Sequence, residues 1–265
     1  MYRVLHARGE VKERRNQRVH PPYTRPELVA TAPNQVWSWD ISRLRTTAKW
    51  LYFYLYVILD LFSRKVVGWI IAREESAANA KLLIAESIEK EGVAPSTLVL
   101  HADRGAQMRS KTLAQLLADL DVARSFSRPH VSNDNPFSES QFKTAKYHPS
   151  YPGKFAALED ALAWGRLFFP WYNEEHRHSG IAYLTPADVH AGRADELLQR
   201  RHDVLLGAYA DHPERFPKGP PKLQVLPPVV YINPPSAGLA DAPGGELAAK
   251  AASPEEDDRG SVAGG

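Results

Sequence analysis

One apolar run, WLYFYLYVILDLFS at residues 50–63, restricts the fold of this chain more than any other feature. It is dense in aromatic and β-branched side chains, which predicts a buried strand that ends at Asp60. The run is interrupted by that acid and is too short to cross a bilayer, so we predict no membrane partner. RKVVGWIIA at 64–72 follows after so short a turn that the two segments should form an antiparallel hairpin.

The segments around this hairpin alternate between strand and helix patterns. QVWSWDIS (35–42) predicts a strand before it, and the chain after it predicts a helix (76–92), a strand (96–103), a helix (110–121), a strand (122–127) and two helices, one from Pro136 and one over 155–178. Ser76 fits the N-cap of the first helix, and Gly92 fits its end. This order predicts an α/β domain with a mixed five-stranded sheet flanked by helices, in the ribonuclease-H-like arrangement.

Composition divides the chain into four parts: a basic arm (1–34), a dense domain (35–190), a helical and then proline-rich extension (191–238) and a tail (239–265) that we predict to be disordered. The net charge is only +2, but the arm holds seven Arg/Lys against three Glu. Such an arm suits phosphate backbones, and a solvated terminus is an equally simple interpretation. With no cysteine and no evident secretory signal, we predict a cytoplasmic protein.

Two acids stand where the predicted strands end. Asp40 ends the first strand, and Asp103 comes just past the fourth. Either acid alone could be a turn or cap residue, but α/β sheets bind ligands beyond their strand ends. Glu139, near the start of a helix, lies 36 positions after Asp103. Three converging carboxylates repel one another unless cations neutralise them, so this set predicts a site for Mg²⁺ or Mn²⁺.

Spacing alone does not identify the set, because Asp160 and Glu196 have the same separation as Asp103 and Glu139. That second pair falls in predicted helices rather than at a strand end, and we exclude it. His101 has two interpretations. It is a metal ligand or general base, or it is a packed, hydrogen-bonded residue, which is commoner for a histidine at a strand end. We predict that the aromatic residues of 164–172 form core rather than a surface on which bases stack.

Longer stretches match a known family. They are WSWDIS, YLYVILDLFSRKVVGW, LHADRGAQMRS, SRPHVSNDNPFSESQFKTAKY and WYNEEHRHSGI with LTPADVH. These stretches resemble the integrase-like catalytic core of bacterial insertion-sequence transposases, of the orfB type, over about residues 33–190. Asp40, Asp103 and Glu139 resemble the D,D,35,E triad of retroviral integrases and related transposases. The resemblance implies a DDE polynucleotidyl transferase in which these three residues are catalytic and hold two Mg²⁺ ions, with Mn²⁺ as a substitute.

The same resemblance implies DNA as the partner, at the ends of the element and at the target. Lys146 matches a basic residue that the family places against substrate DNA. Lys143, Arg104 and Arg128 flank the site and could bind the phosphate backbone, although exposed basic residues are more often only solvated. Lys143 also satisfies an ordinary i,i+4 pairing with Glu139.

Further partners follow from the family. It implies a homo-oligomer on DNA, a bacterial protein associated with the nucleoid, and a helix-turn-helix partner from an upstream reading frame, because residues 1–22 look like the tail of such a region. Two alternatives stay open. One is a ribonuclease-H-like nuclease that cuts without joining, and the other is a catalytically silent DNA-binding remnant that regulates an active transposase.

Overall fold

The computed structural model of the protein describes residue 7 and residues 26–94, 96–103, 111–128 and 134–234. In these ranges the strands are Leu28–Ala30 (β1), Val36–Arg45 (β2), Tyr52–Asp60 (β3), Val66–Ala72 (β4), Val99–Ala102 (β5), Ala123–Phe126 (β6) and Val230–Ile232 (β7). The α-helices are Ala77–Glu91 (α1), Lys111–Asp119 (α2), Pro136–Tyr147 (α3), Leu158–Glu174 (α4), Pro186–His190 (α5) and Ala194–Asp211 (α6). The predicted helix-turn-helix remnant, apart from residue 7, and the predicted disordered tail lie outside the described residues.

Five strands form one mixed sheet in the order β4–β3–β2–β5–β6. β3 pairs antiparallel with β2 and β4, whereas β5 runs parallel to β2 and β6. Parallel neighbours need a crossover connection, and α1 lies in the connection between the β2–β4 part of the sheet and β5. The predicted ribonuclease-H-like sheet is therefore confirmed.

The apolar run around β3 is buried on both faces of the sheet. Tyr56 and Ile58 pack in a core with α1 and α2, and Leu55 and Val57 pack in a second core with α3 and α4. Successive side chains of a strand point to opposite faces, so helices on both faces require apolar residues at every position. This explains why the sequence shows a continuous apolar run there instead of an alternation.

The helix caps and the aromatic core agree with the sequence. The Ser76 side chain accepts a hydrogen bond from the Asn79 N–H at 3.2 Å, and Gly92 ends α1 with a φ of +60°. On α4, Trp164 and Phe168 are buried and stack with their ring centroids 5.1 Å apart. The aromatic residues of this helix thus contribute to the core, as predicted.

Gly165 lets α4 approach the edge strand β4. A Cβ atom at this position would lie 2.6 Å from the ring of Trp69, closer than a van der Waals contact allows. The Trp69 ring in turn stacks on Phe169, with centroids 4.7 Å apart. The glycine therefore sets the distance between this helix and the sheet.

A buried polar network closes the turn between β3 and β4. Asp60 Oδ1 accepts hydrogen bonds from the N–H and the hydroxyl of Ser63, both at 2.7 Å. Ser63 Oγ lies 2.9 Å from His190 Nδ1, and Glu91 holds His190 Nε2 at 3.0 Å and Lys65 Nζ at 2.9 Å. Burial acts to raise the pKa of Glu91, but its bonds to His190 and Lys65 outweigh burial and lower that pKa to about 2. Ser63 is fully buried, so this network is structural rather than nucleophilic.

A second, two-stranded sheet is absent from the sequence prediction. β1 pairs antiparallel with β7, and Leu28 stands opposite Ile232. Val230 and Ile232 are buried against Val36 and Leu61 of the main domain. The proline-rich extension therefore returns to the domain at its end, and the basic arm ends in a strand.

No helix within the described ranges is both long enough and apolar enough to cross a membrane.

Candidate active site

Asp40 and Asp103 lie side by side at the end of the parallel pairing between β2 and β5. The register pairs Trp39 with Ala102, so an aspartate follows the last paired residue of each strand. β2 itself continues to Arg45 along β3, so Asp40 is not at the end of its strand as predicted, but at the end of its contact with β5. Both acids line one open cleft of about 210 Å³. The other residues that line it are Trp39, Ile41, Arg43, Tyr54 and Glu75.

Glu139 reaches this region because the start of α3 is bound to β2. Ser38 is fully buried on β2, and its hydroxyl donates a hydrogen bond to Asn135 Oδ1 at 2.5 Å. The same hydroxyl lies 2.6 Å from the hydroxyl of Ser138, the residue before Glu139. Ser38 precedes Asp40 by two positions on the same face of the strand. These contacts fix the register between the carboxylate on the strand and the carboxylate on the helix.

Lys146 makes a second contact between α3 and β2. Its ammonium group donates a hydrogen bond to the hydroxyl of Ser42 at 2.6 Å, two positions beyond Asp40. Desolvation and the charge of Arg45 lower the pKa of Lys146, and the charge of Asp40 acts in the opposite direction. The predicted DNA-contacting lysine is thus electrostatically linked to the candidate catalytic acid.

The three carboxylates interact through their charges. Burial is the largest cause that raises the pKa of Asp40, and the charges of Asp103 and Glu139 add to it. The N–H of Ile41, which donates to Asp40 Oδ1 at 2.7 Å, and the charge of Lys146 oppose this rise. The pKa of Asp40 reaches about 7. A cation bound between these groups would relieve their repulsion and favour the ionised form of Asp40.

The donor chemistry of the cluster fits a divalent metal of the Mg²⁺ class. Asp40, Asp103 and Glu139 offer carboxylate oxygens, which are the ligands that Mg²⁺ and Mn²⁺ prefer. Asp103 and Glu139 are exposed, so both are open to an ion and to a substrate. In the part of the chain that the structure describes, no three His, Cys, Asp or Glu side chains are grouped closely enough to hold a metal ion. The assignment of the three acids as metal ligands stays a prediction.

The other predicted DNA-contacting residues differ in their surroundings. Lys143 is exposed on α3, and Arg104 lies outside the described residues. Arg128 forms an ion pair with Asp134, with both contacts between its guanidinium group and the carboxylate at 3.0 Å. The charge of Arg128 is therefore largely compensated within the protein, and its predicted contact with DNA stays untested.

Asp134 is a residue that sequence reasoning missed. It is fully buried two positions before α3, and it binds Arg128, Asn233 at 2.7 Å and, through its carbonyl oxygen, His101 at 2.7 Å. The hydrogen bond from Arg128 is the main cause that lowers the pKa of Asp134 far below its usual range, against the effect of burial. Asn233 also donates to the carbonyl of Pro26 at 3.0 Å. Asp134 thus joins the start of α3 to β5, to the end of β6 and to the β1–β7 sheet.

His101 matches the packed, hydrogen-bonded interpretation. It is fully buried on β5, and burial lowers its pKa. Because the carbonyl of Asp134 can only accept, Nε2 carries the proton, and Nδ1 accepts from the hydroxyl of Ser125 at 3.1 Å. His101 stands two residues before Asp103 in the chain, and its ring holds the backbone of Asp134 in place.

The excluded pair has ordinary helix contacts. Asp160 accepts the N–H of Ala157 at 2.9 Å at the start of α4, and Glu196 forms an i,i+4 ion pair with Arg200 at 2.6 Å. Both lie in helices and not at a strand end, as predicted for this pair.

Comparison with known proteins gives the following matches. A protein-family model of the integrase core domain matches residues 30–132, and a second family model of the same description matches residues 120–186. The chain is 31% identical over 191 residues to the transposase for insertion sequence element IS904 of Lactococcus lactis, a match that covers 69% of this chain and 74% of the relative. It is 31% identical over 161 residues to the transposase InsF for insertion sequence IS3A of Escherichia coli, which covers 60% of this chain and 55% of that relative. The chain therefore spans little more than half the length of the Escherichia coli protein.

Among solved structures, the fold is similar to a chain of the simian T-cell lymphotropic virus intasome in complex with the PP2A regulatory subunit B56 gamma. The TM-score is 0.50 at 15% identity, over 67% of this chain and 60% of that chain. At this level of identity the match shows a common fold.

Proposed function

Because the chain belongs to the family of insertion-sequence transposases with an integrase core domain, we propose that it catalyses metal-dependent cleavage and strand transfer of DNA. One observation carries the proposal: Asp40 and Asp103 line one open cleft, and the charges of Asp103, Glu139 and Lys146 all act on Asp40. Two acids whose charges raise the pKa of a third are unfavourable when all three are ionised and no cation is bound, which supports a site for cations over a structural role.

Each residue has a distinct part in the proposed reaction. Asp40 and Asp103 hold the metal ions from the sheet, and Glu139 closes the site from α3. Lys146, held by Ser42, binds a phosphate oxygen of the DNA. When bound, two Mg²⁺ or Mn²⁺ ions supply activation of the attacking water or 3′-hydroxyl and stabilisation of the leaving oxygen. The contacts of Ser38 with Asn135 and Ser138 keep the acid of α3 in register with the acid of β2.

The test uses the full chain with Mn²⁺ and labelled duplexes that carry the ends of the element. We expect joined strands from the wild type and none from Asp103→Asn, while the variant remains folded by circular dichroism. Asp160→Asn is the matched control, because Asp160 belongs to the pair with equal spacing and lies on an exposed helix start. Joining by Asp103→Asn at the wild-type rate would overturn the assignment of the three acids.

The two alternatives give different products in the same assay. Cleavage without joining would indicate a ribonuclease-H-like nuclease, and binding without cleavage would indicate a regulatory remnant. We propose further that the protein acts in the cytoplasm as several copies on DNA, with residues 35–190 as the catalytic core. A helix-turn-helix protein from an upstream frame would supply recognition of the ends. Sequencing the DNA that flanks the gene tests whether this partner exists. We expect an overlapping upstream frame that encodes it, with inverted repeats outside both frames.

A further inference from the structure

The connection between β2 and β3 carries an exposed aromatic residue among basic residues. Trp50 is 88% exposed, a larger exposed fraction than that of every other large apolar side chain in the described ranges. It follows Lys49, and Arg43 and Arg45 precede it on β2. From residue 41 to residue 59 the chain contains these three cations and no Asp or Glu. We call residues 43–51, which include the turn 46–51, the β2–β3 tip.

The tip is a rigid structure rather than a loose loop. The hydroxyl of Thr46, which is buried, donates to the carbonyls of Ala48 at 3.0 Å and of Leu51 at 2.9 Å. The backbone of Phe155, a core residue, donates to the carbonyl of Arg45 at 3.0 Å and accepts from the N–H of Thr47 at 3.1 Å. Trp50 itself has a φ of +64°, a conformation that a bulky residue adopts only when its surroundings impose it. The backbone that carries the exposed ring is therefore held in one conformation, at a cost in backbone strain.

The charges of the tip have no acidic partners within the described residues. Arg43 is positioned over the ring of Tyr52 at 5.7 Å and lines the same cleft as Asp40 and Asp103. Neither Arg43, Arg45 nor Lys49 forms an ion pair in that part of the chain. Arg45 stands close enough to Lys146 to lower its pKa. Three neighbouring cations without ion pairs create a positive potential that attracts an anion, and Arg43 brings this charge to the cleft of the candidate active site.

From this arrangement we propose that the β2–β3 tip binds the duplex DNA that adjoins the phosphate in the active site. In this inference, which rests on the proposed function, Arg43, Arg45 and Lys49 contact phosphates and Trp50 packs on a base or sugar of the same duplex. A strand rises about 3.3 Å per residue, so Arg45 lies about 17 Å from Asp40, or about five base pairs along B-form DNA. The contact thus lies about half a helical turn from the reacting phosphate.

Two substitutions separate the aromatic from the ionic contribution. Trp50→Gly removes the ring and suits the positive φ, so the turn should be retained. Its affinity for a labelled duplex of about 30 base pairs should fall by about fivefold or more, because the apolar surface of the indole is no longer buried, with an unchanged salt dependence. Lys49→Gln should instead reduce the slope of log affinity against log salt by about 0.9, the value for one lost phosphate contact. Lys81→Gln and Leu82→Ala are the matched controls, because they change an exposed cation and an adjacent exposed apolar residue on α1.

Fluorescence quenching provides an independent readout. Trp50 is the only tryptophan among the strongly exposed apolar residues of the described ranges, so acrylamide should quench mainly its emission. The duplex should protect that emission in the wild type, and Trp50→Gly should lack the accessible component altogether. Strand transfer should be weakened by Trp50→Gly on a duplex that extends past the tip, and much less on one that ends within about three base pairs of the cut.

The outcomes separate the tip from the proposed function. The inference would be overturned, and the proposed function left intact, if the wild type joins DNA while Trp50→Gly and Lys49→Gln bind the duplex as tightly as the control variants do. A wild type with no affinity for duplex DNA would overturn both. Protection of Trp50 that arises without DNA as the protein concentration increases would assign the tip to contact between two copies, and would also overturn the inference.

Discussion

Replacing Asp40 by Asn should stabilise the metal-free protein, and the gain should grow with pH. Burial and the charges of Asp103 and Glu139 raise the pKa of Asp40 from 3.8 to about 7. When the folded-state pKa lies above the unfolded-state value, the stability that the group contributes is complete below the unfolded-state pKa. It is then lost as the pH rises through the folded-state pKa. The wild type should therefore lose stability between about pH 4 and about pH 8, and an Asn side chain, which does not titrate there, should not.

The two pKa values set the size of this effect. At about 1.4 kcal/mol per pH unit, a rise from 3.8 to about 7 corresponds to at most about 4 kcal/mol. Asp40 keeps some contact with water, which screens its charge, and part of the loss has already occurred at pH 5. We therefore expect the stability difference between Asp40→Asn and the wild type to grow by about 1 to 3 kcal/mol between pH 5 and pH 8.5.

Urea unfolding in EDTA at these two pH values measures this difference. Asp211→Asn, at the exposed end of α6, is the control for loss of an aspartate in general. Mg²⁺ added at the higher pH should stabilise the wild type more than Asp40→Asn, because a ligand that binds only the folded state stabilises it by mass action. A stability difference that is the same at both pH values would refute the reasoning.

Three further predictions concern the scaffold of the site. Asp134→Ala leaves the guanidinium of Arg128 without its partner and should lower the free energy of unfolding by about 3 kcal/mol, measured in urea; a loss within error of zero would contradict the role of Asp134 as a junction. Glu91→Gln should be less stable than the wild type above about pH 4.5, and this difference should shrink as the pH falls towards the folded-state pKa of Glu91, about 2. Acid titrations followed by circular dichroism measure the difference. A difference that stays constant with pH would count against the network at the β3–β4 turn. Gly165→Ala should lower the free energy of unfolding by about 1 to 3 kcal/mol, measured by thermal unfolding, because its Cβ would collide with the indole of Trp69. Gly207→Ala, with open space on α6, should be neutral or stabilising. Equal effects of the two substitutions would contradict the close packing of α4.

Most of the fold follows from patterns that are local in the sequence. The apolar run of β3, the capping residues Ser76 and Gly92 and the alternation of strands with helices each express a preference within a few neighbouring residues. The position of Asp40 is less well predicted, because β2 continues to Arg45 through a stretch that is polar on one face. Up to Trp39, β2 pairs with both β3 and β5, and from Asp40 onwards it pairs with β3 alone. Only this change in strand pairing shows where the site lies.

The remaining features depend on contacts between distant parts of the chain. β1 and β7 are three residues each, too short for a periodic pattern, and each is stable only because the other pairs with it. Asp134 stands in a polar loop sequence that would suit a solvated turn equally well. Its importance comes from Arg128, His101 and Asn233, which meet it only in the folded protein. The exposure of Trp50 is likewise invisible in an apolar run that otherwise predicts burial.

The pairing of β1 with β7 also determines the order in which the protein is completed during synthesis. Leu28 leaves the ribosome long before its partner Ile232, and at about 5 to 20 residues per second the delay is about 10 to 40 s. During this time the five-stranded sheet can form, but β1 has no partner and Asp134 lacks the hydrogen bond from Asn233. The helix that carries Glu139 therefore receives this support only after Asn233 has been made. A nascent or prematurely terminated chain would have all three acids but an incompletely fixed site.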